Sequence, residues 1–149
     1  MLLNEGTKST VHPQYVVGFV DGEGCFCVVI SRHRTLKTRR EVRLIFEIEV
    51  REDDRPILKA IRRQLGCGTI YTLDYARYAQ WRAHAKLKVS NLTDIVEKVI
   101  PFFERHPLKA KKRKSFAIFK RISMMMQRRE HLTASGLRRI ERLQKRMNV

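Results

Sequence analysis

The stretch that decides the fold runs Tyr15-Val16-Val17-Gly18-Phe19-Val20-Asp21-Gly22-Glu23-Gly24, followed at once by Cys25-Phe26-Cys27-Val28-Val29-Ile30-Ser31. Pro13 stands where a first helical turn tolerates a residue without an N–H, and glycine follows the acidic end, so the first segment reads as a helix. The second segment changes period: Phe26, Val28 and Ile30 alternate with Cys27, Val29 and Ser31, the pattern of a strand with one buried face. A helix therefore passes directly into a strand, with two carboxylates and two glycines at the junction.

Working outward, Val42, Leu44, Phe46, Ile48 and Val50 alternate with Arg43, Ile45, Glu47 and Glu49, which predicts a second strand. The polar stretch 32–40 between them reads as a long hairpin loop. Asp53, Asp54 and Pro56 open a helix to about Leu65, closed by Gly66-Cys67-Gly68. A third strand is expected near Thr69–Leu73 and a fourth over Trp81–Val89. Asn91 caps a helix to about Ile100, a longer one is expected from about Leu108 to Arg129, and a last one after Thr133. The order αββαββα plus a C-terminal helix gives an α+β class: one antiparallel four-stranded sheet, covered by helices on its apolar face. No repeat of 20–50 residues appears, so residues 13–149 are read as one domain behind a tail at 1–12.

The charge says what the other sheet face is for. The 149 residues carry 32 Lys and Arg against 15 Asp and Glu, a formal charge of +17. Residues 101–149 hold 15 of the basic side chains and 3 of the acidic ones. So large an excess favours a polyanionic partner. Arg43, Glu47, Glu49, Tyr71, Arg82, Lys86 and Lys88 fall on the non-core face, where Arg reads guanine and Glu accepts from cytosine in a major groove. Ser31, His33, Arg34, Lys37, Arg39 and Arg77, from the strand end and the loops, extend the expected DNA surface, and Lys112 adds a phosphate contact. Three cysteines without a Cys-x-x-Cys pair, and five scattered histidines, support neither a disulfide scaffold nor a zinc finger. With no long apolar run, the chain reads as soluble and intracellular, without a membrane partner.

The Tyr15–Gly24 segment resembles the LAGLIDADG motif in its variant ending Gly-Phe-Val-Asp-Gly-Glu-Gly. Phe46–Val50, Asp53-Asp54, Gly66–Tyr71, His131-Leu132-Thr133 and Gly136-Leu137 resemble later landmarks of the same family. The resemblance implies an intron-encoded homing endonuclease that hydrolyses double-stranded DNA with Mg²⁺ or another divalent cation such as Mn²⁺. It implies metal ligation by Glu23 and the Gly22 carbonyl. A single motif implies a homodimer on a pseudo-palindromic site, with Tyr15, Val17, Gly18 and Gly22 at the interface. The family motif usually carries alanine where Val17 stands, and aspartate where Glu23 stands.

Lys111 falls in an inward position if the apolar stripe Leu108, Ile118, Ile122 and Met125 is extended back, and the resemblance places a basic residue near the scissile phosphate in this stretch. Arg51 is a second candidate for that chemistry. Asp21 reads either as a helix-terminating or structurally binding group or as a further ligand. The rival readings are a non-cleaving relative acting as an RNA-splicing maturase, with RNA binding as a secondary property, and a small architectural nucleic-acid-binding protein.

Overall fold

The computed structural model describes residues 11–74 and 82–147. The elements are α1 (Pro13–Glu23), β1 (Gly24–Arg32), β2 (Arg40–Arg51), a 3-10 turn (Glu52–Asp54), α2 (Arg55–Leu65), β3 (Thr69–Leu73) and β4 (His84–Val89). Then follow α3 (Leu92–Asp94), a π turn (Ile95–Val99), α4 (Ile100–Arg105), α5 (Lys112–Gln127), a 3-10 turn (Glu130–Leu132) and α6 (Ala134–Lys145). The expected start of the fourth strand at Trp81, the loop residue Arg77 and the tail at 1–10 lie outside the described residues.

The four strands form one antiparallel sheet in the order β1-β2-β4-β3. Its register places Phe26 opposite Phe46, and Ile48 opposite Leu87. These residues face the helices. Phe26, Phe46, Phe103, Phe116 and Phe119 meet in one cluster, with ring centroids 5.1 to 5.8 Å apart among the contacting pairs. Such pairs each add about 0.5–1.5 kcal/mol beyond the area they bury. The α+β class with a four-stranded antiparallel sheet is therefore what the alternating pattern predicts.

The helix-to-strand passage has a specific cause. His12 caps α1 through its Nδ1, which accepts from the Gln14 amide at 3.0 Å, and Pro13 fills the first turn. At the far end the Gly24 amide bonds back to the Val20 carbonyl. A Cβ on Gly24 would lie 2.7 Å from Val20 Cγ1, so only glycine lets β1 leave the helix without a linker.

Three boundaries differ from the sequence reading. The helix capped by Asn91 continues to Arg105, because the Ile100 amide bonds back to Ile95 in a π turn just before Pro101, which has no amide to offer. Helix α5 begins at Lys112, four residues later than expected. Finally, β4 is described from His84.

Candidate functional site

Helix α1 has two unlike faces. Val16, Val17 and Val20 are buried in the chain's own core, at 0%, 1% and 0% exposure. Tyr15, Gly18 and Gly22 are exposed on the other side, and Tyr15 stacks on the half-buried Phe19 at 6.0 Å. The spacing 15, 18, 19, 22 is one helical face. A Cβ added at Gly18 or Gly22 would meet nothing within 4 Å. Val17 is thus corrected as an interface candidate: it points inward, and the open face belongs to Tyr15, Gly18, Phe19 and Gly22.

The C-terminal tip of α1 is where the acidic residues gather, and each has a separate environment. Glu23 is the last helical residue and is exposed, with no hydrogen bond or ion pair among the described residues. Asp21 is committed: its carboxylate accepts from the amides of Lys109 at 3.0 Å and Ala110 at 3.3 Å. It therefore ties the segment before α5 to the helix tip, which is a structural role rather than a cap on α1 itself.

That tie determines which lysine faces inward. Lys112 Nζ donates to the Val20 carbonyl at 3.0 Å and to the Asp21 carbonyl at 3.4 Å. A cation is well placed there, since the last carbonyls of a helix lack intrahelical partners and carry partial negative charge. Lys111 instead sits at the cap position of α5, exposed. The inward lysine is thus Lys112, one residue on from the sequence candidate. Beside it a cavity of about 730 Å³ opens between Asp21, residues 109–115 and Met147.

Arg51, exposed at the end of β2, pairs with Asp53 at 3.2 Å. It lies in register with His84 on β4, not with the α1 tip.

The sheet face away from the helices carries the predicted mixture. Glu47 lies opposite Lys88, Glu49 opposite Lys86, and Tyr71 opposite Lys86. Lys86 Nζ lies 3.4 Å from Glu47 and 3.5 Å from Glu49, and His84 Nδ1 lies 3.1 Å from Glu49. Both acids are thereby held within the free sheet, and a base presented to either would have to displace a partner of modest strength. The surrounding carboxylates and Tyr71 raise the Lys86 pKa against its partial burial, so it stays a cation. Arg43 and Arg82 are exposed, and Ser31 and Lys88 half-exposed.

In the β1–β2 loop, two of the named residues build the loop itself. His33 Nδ1 accepts from the amides of Thr35 and Leu36, both at 3.3 Å, and the His33 amide donates to the Arg39 carbonyl at 2.9 Å. Arg39 adopts a left-handed φ of 59° and its guanidinium reaches the Arg34 carbonyl. The side chains of Arg34 and Lys37 are left exposed.

One cluster went unnoticed in the sequence. Cys25 and Cys27 project from β1 onto this outer face with their sulfurs 3.0 Å apart, next to Glu47. The Cys27 hydrogen bond holds the Cys25 thiol down to about 7 against its partial desolvation, while the same bond and burial push Cys27 up. The signal available was the spacing i, i+2 on a strand, which puts both side chains on one face.

The model of the LAGLIDADG endonuclease family matches residues 16–123, which include the helix tip, the sheet and most of α5. The chain belongs to the LAGLIDADG endonuclease family. The solved structure of the homing endonuclease I-TnaI is 40% identical, with a TM-score of 0.85 over 95% of this chain and 90% of that one. The I-LtrWI LAGLIDADG homing endonuclease bound to target DNA is 29% identical, with a TM-score of 0.86 over all of this chain and 48% of that one. Among curated relatives, "Probable intron-encoded endonuclease 2" of Neurospora crassa is 30% identical over 130 residues, covering 87% of this chain and 28% of the relative. This LAGLIDADG chain thus spans about a quarter of the length of the curated relatives it matches first, at 28%, 26% and 25%. Among the described residues no helix is long and apolar enough to cross a membrane.

Proposed function

We propose that this LAGLIDADG chain is a site-specific DNA endonuclease that acts as a homodimer and makes a double-strand break by divalent-metal-dependent phosphodiester hydrolysis. The observation that carries this reading is the contrast at the tip of α1, where Asp21 and Lys112 are engaged and Glu23 is exposed and, among the described residues, unpaired. An uncommitted carboxylate at the negative end of a helix dipole is a donor suited to Mg²⁺ or Mn²⁺, hard cations that favour oxygen. When bound, such an ion supplies activation of water and stabilisation of the leaving oxygen. Glu23, with the Gly22 carbonyl, would hold it.

The chain's own residues do the rest. Lys112, held by the Val20 and Asp21 carbonyls, keeps a fixed positive charge at the helix end that carries Glu23, where a phosphate oxygen gaining charge is stabilised. Lys111, exposed at the start of α5, supplies a further phosphate contact. Arg51 stays at the end of β2, away from the α1 tip, and binds DNA from there. Arg43, Lys86 and Lys88 on the sheet, with Arg82 just before β4 and Arg34 and Lys37 from the β1–β2 loop, present the cationic surface for duplex DNA. Glu47 and Glu49 accept from cytosine once Lys86 and His84 give way.

The homodimer follows from the open face of α1. Gly18 and Gly22 allow a second copy of the helix to approach closely across a twofold axis, with Tyr15 and Phe19 covering the seam. Such a pairing brings two Glu23 carboxylates together. Two solved relatives support the DNA reading: I-LtrWI is described bound to target DNA, and I-SmaMI, at 29% identity, bound to uncleaved DNA target in the presence of calcium ions.

The test is selection from a randomised duplex library with purified protein and Mg²⁺, sequencing the cleaved ends. Discrete double-strand breaks within one pseudo-palindromic consensus support the proposal. Binding to a consensus without breakage, in Mg²⁺ or Mn²⁺, contradicts it.

A further inference from the structure

Cys25 and Cys27 stand on the same face of β1, and the register sets Glu47 of β2 directly across from Cys25. One donor atom from each of the three lies within 4.8 Å of the others, and the two sulfurs are 3.0 Å apart. Two thiolates and one carboxylate are poor donors for Mg²⁺, which prefers oxygen and keeps its water. They suit Zn²⁺, which takes Cys and Glu together in tetrahedral sites.

The dimensions agree. With Zn–S near ~2.3 Å and Zn–O near ~2.1 Å, tetrahedral donors sit roughly 3.5–3.8 Å apart. The sulfurs need only part slightly and the carboxylate swing inward. Binding expels the two thiol protons to solvent, and the two thiolates and one carboxylate that result outweigh the nearby cations, Lys86, which lies 3.4 Å from Glu47, and Lys112, whose charge reaches Cys25. Cys25 is exposed, so the set is open on the outer side and a fourth position is left for water or an incoming ligand.

We propose that Cys25, Cys27 and Glu47 form a second metal site, for a thiophilic cation such as Zn²⁺, chemically separate from the hard-cation site at Glu23. Its occupancy takes Glu47 from Lys86 and places a cation with its fourth ligand on the outer sheet face, so zinc and DNA compete for that face. The competition rests on the DNA-binding reading above; the site itself does not.

The test titrates the reduced full chain with Cd²⁺, following the ultraviolet thiolate-to-cadmium charge-transfer band, and then displaces Cd²⁺ with Zn²⁺. The expected result is one ion per chain, a band lost in Cys25→Ser and in Cys27→Ser, retained in Cys67→Ser, and an affinity at least tenfold weaker in Glu47→Gln. Absence of the band in the wild type, or its persistence in a Cys27→Ser chain with unchanged circular dichroism, overturns the site. A second arm measures DNA affinity in metal-free buffer with and without Zn²⁺. Weakening in the wild type but not in Cys27→Ser supports competition, and unchanged affinity overturns it. A wild type that binds zinc but no DNA contradicts the DNA reading and leaves the site standing.

Discussion

Lys112 Nζ lies 3.0 Å from the carbonyl oxygen of Val20, so the first turn of α5 is fastened to the last turn of α1 across 92 residues of sequence. A fixed cation at the helix end that carries the exposed Glu23 carboxylate supports a hydrolytic role for this site. Lys112→Met should lower the single-turnover cleavage rate by about 100-fold while changing DNA affinity little, since a preorganised charge acts mainly on the transition state. Lys111→Met should cost about tenfold or less. The reverse ranking would return the role to Lys111.

The same junction depends on Asp21. Asparagine keeps one accepting oxygen but cannot serve the Lys109 and Ala110 amides equally, so Asp21→Asn should destabilise the fold by about 1 kcal/mol. The looser α5 start should also slow cleavage more than it weakens binding. Urea unfolding and single-turnover kinetics on one preparation check both.

Gly18 separates folding from assembly. An added side chain there meets nothing within the chain, and replacing a mid-helix glycine typically gains about 0.5–1 kcal/mol. Gly18→Leu should therefore fold at least as well as the wild type yet sediment as a monomer where the wild type sediments as a dimer. A dimeric variant, or a monomeric wild type, contradicts the proposed α1 interface.

The fold was legible where a single periodicity spoke. Strand β1 alternates, β2 does so but for Ile45, which is buried on the outer face beside Cys27, Gly66 ends α2 with a left-handed φ of 82°, and Thr133 caps α6 through its hydroxyl. Helix α1 was harder, because valines and glycines give apolar character all round and the pattern cannot say which side is inside; hence Val17 was misplaced. The inward lysine was missed for a different reason. Asp21 reaches 88 residues along the chain to hold the Lys109 amide, so 109–111 stay outside the helix and the stripe extended back from Ile118 no longer applies. The ties of Lys86 to Glu47 and Glu49, and of His84 to Glu49, depend on β2 pairing with β4, a register that no local pattern states.

His131 gives a pH signature of the fold itself. Its ring is half-buried with Nδ1 unpartnered among the described residues, and burial, with Arg129 nearby, lowers its pKa below the usual 6.5. The unfolded chain then takes up the proton first as pH falls. The stability contributed by the neutral ring is complete above about pH 6.5 and is lost as pH drops from there through the lower folded value. Ring-proton NMR should place the His131 midpoint below 6.5, and His131→Gln should flatten the slope of stability in that window. A midpoint at or above 6.5 contradicts this.

The central claim, that Glu23 holds the cation needed for strand scission, is tested most directly by the cleavage rate of Glu23→Gln on a site selected with the wild type. The carboxamide keeps shape and removes charge, so DNA affinity should be preserved while scission in Mg²⁺ falls by about 100-fold or more, the loss of several kcal/mol. Scission at the wild-type rate would contradict the account.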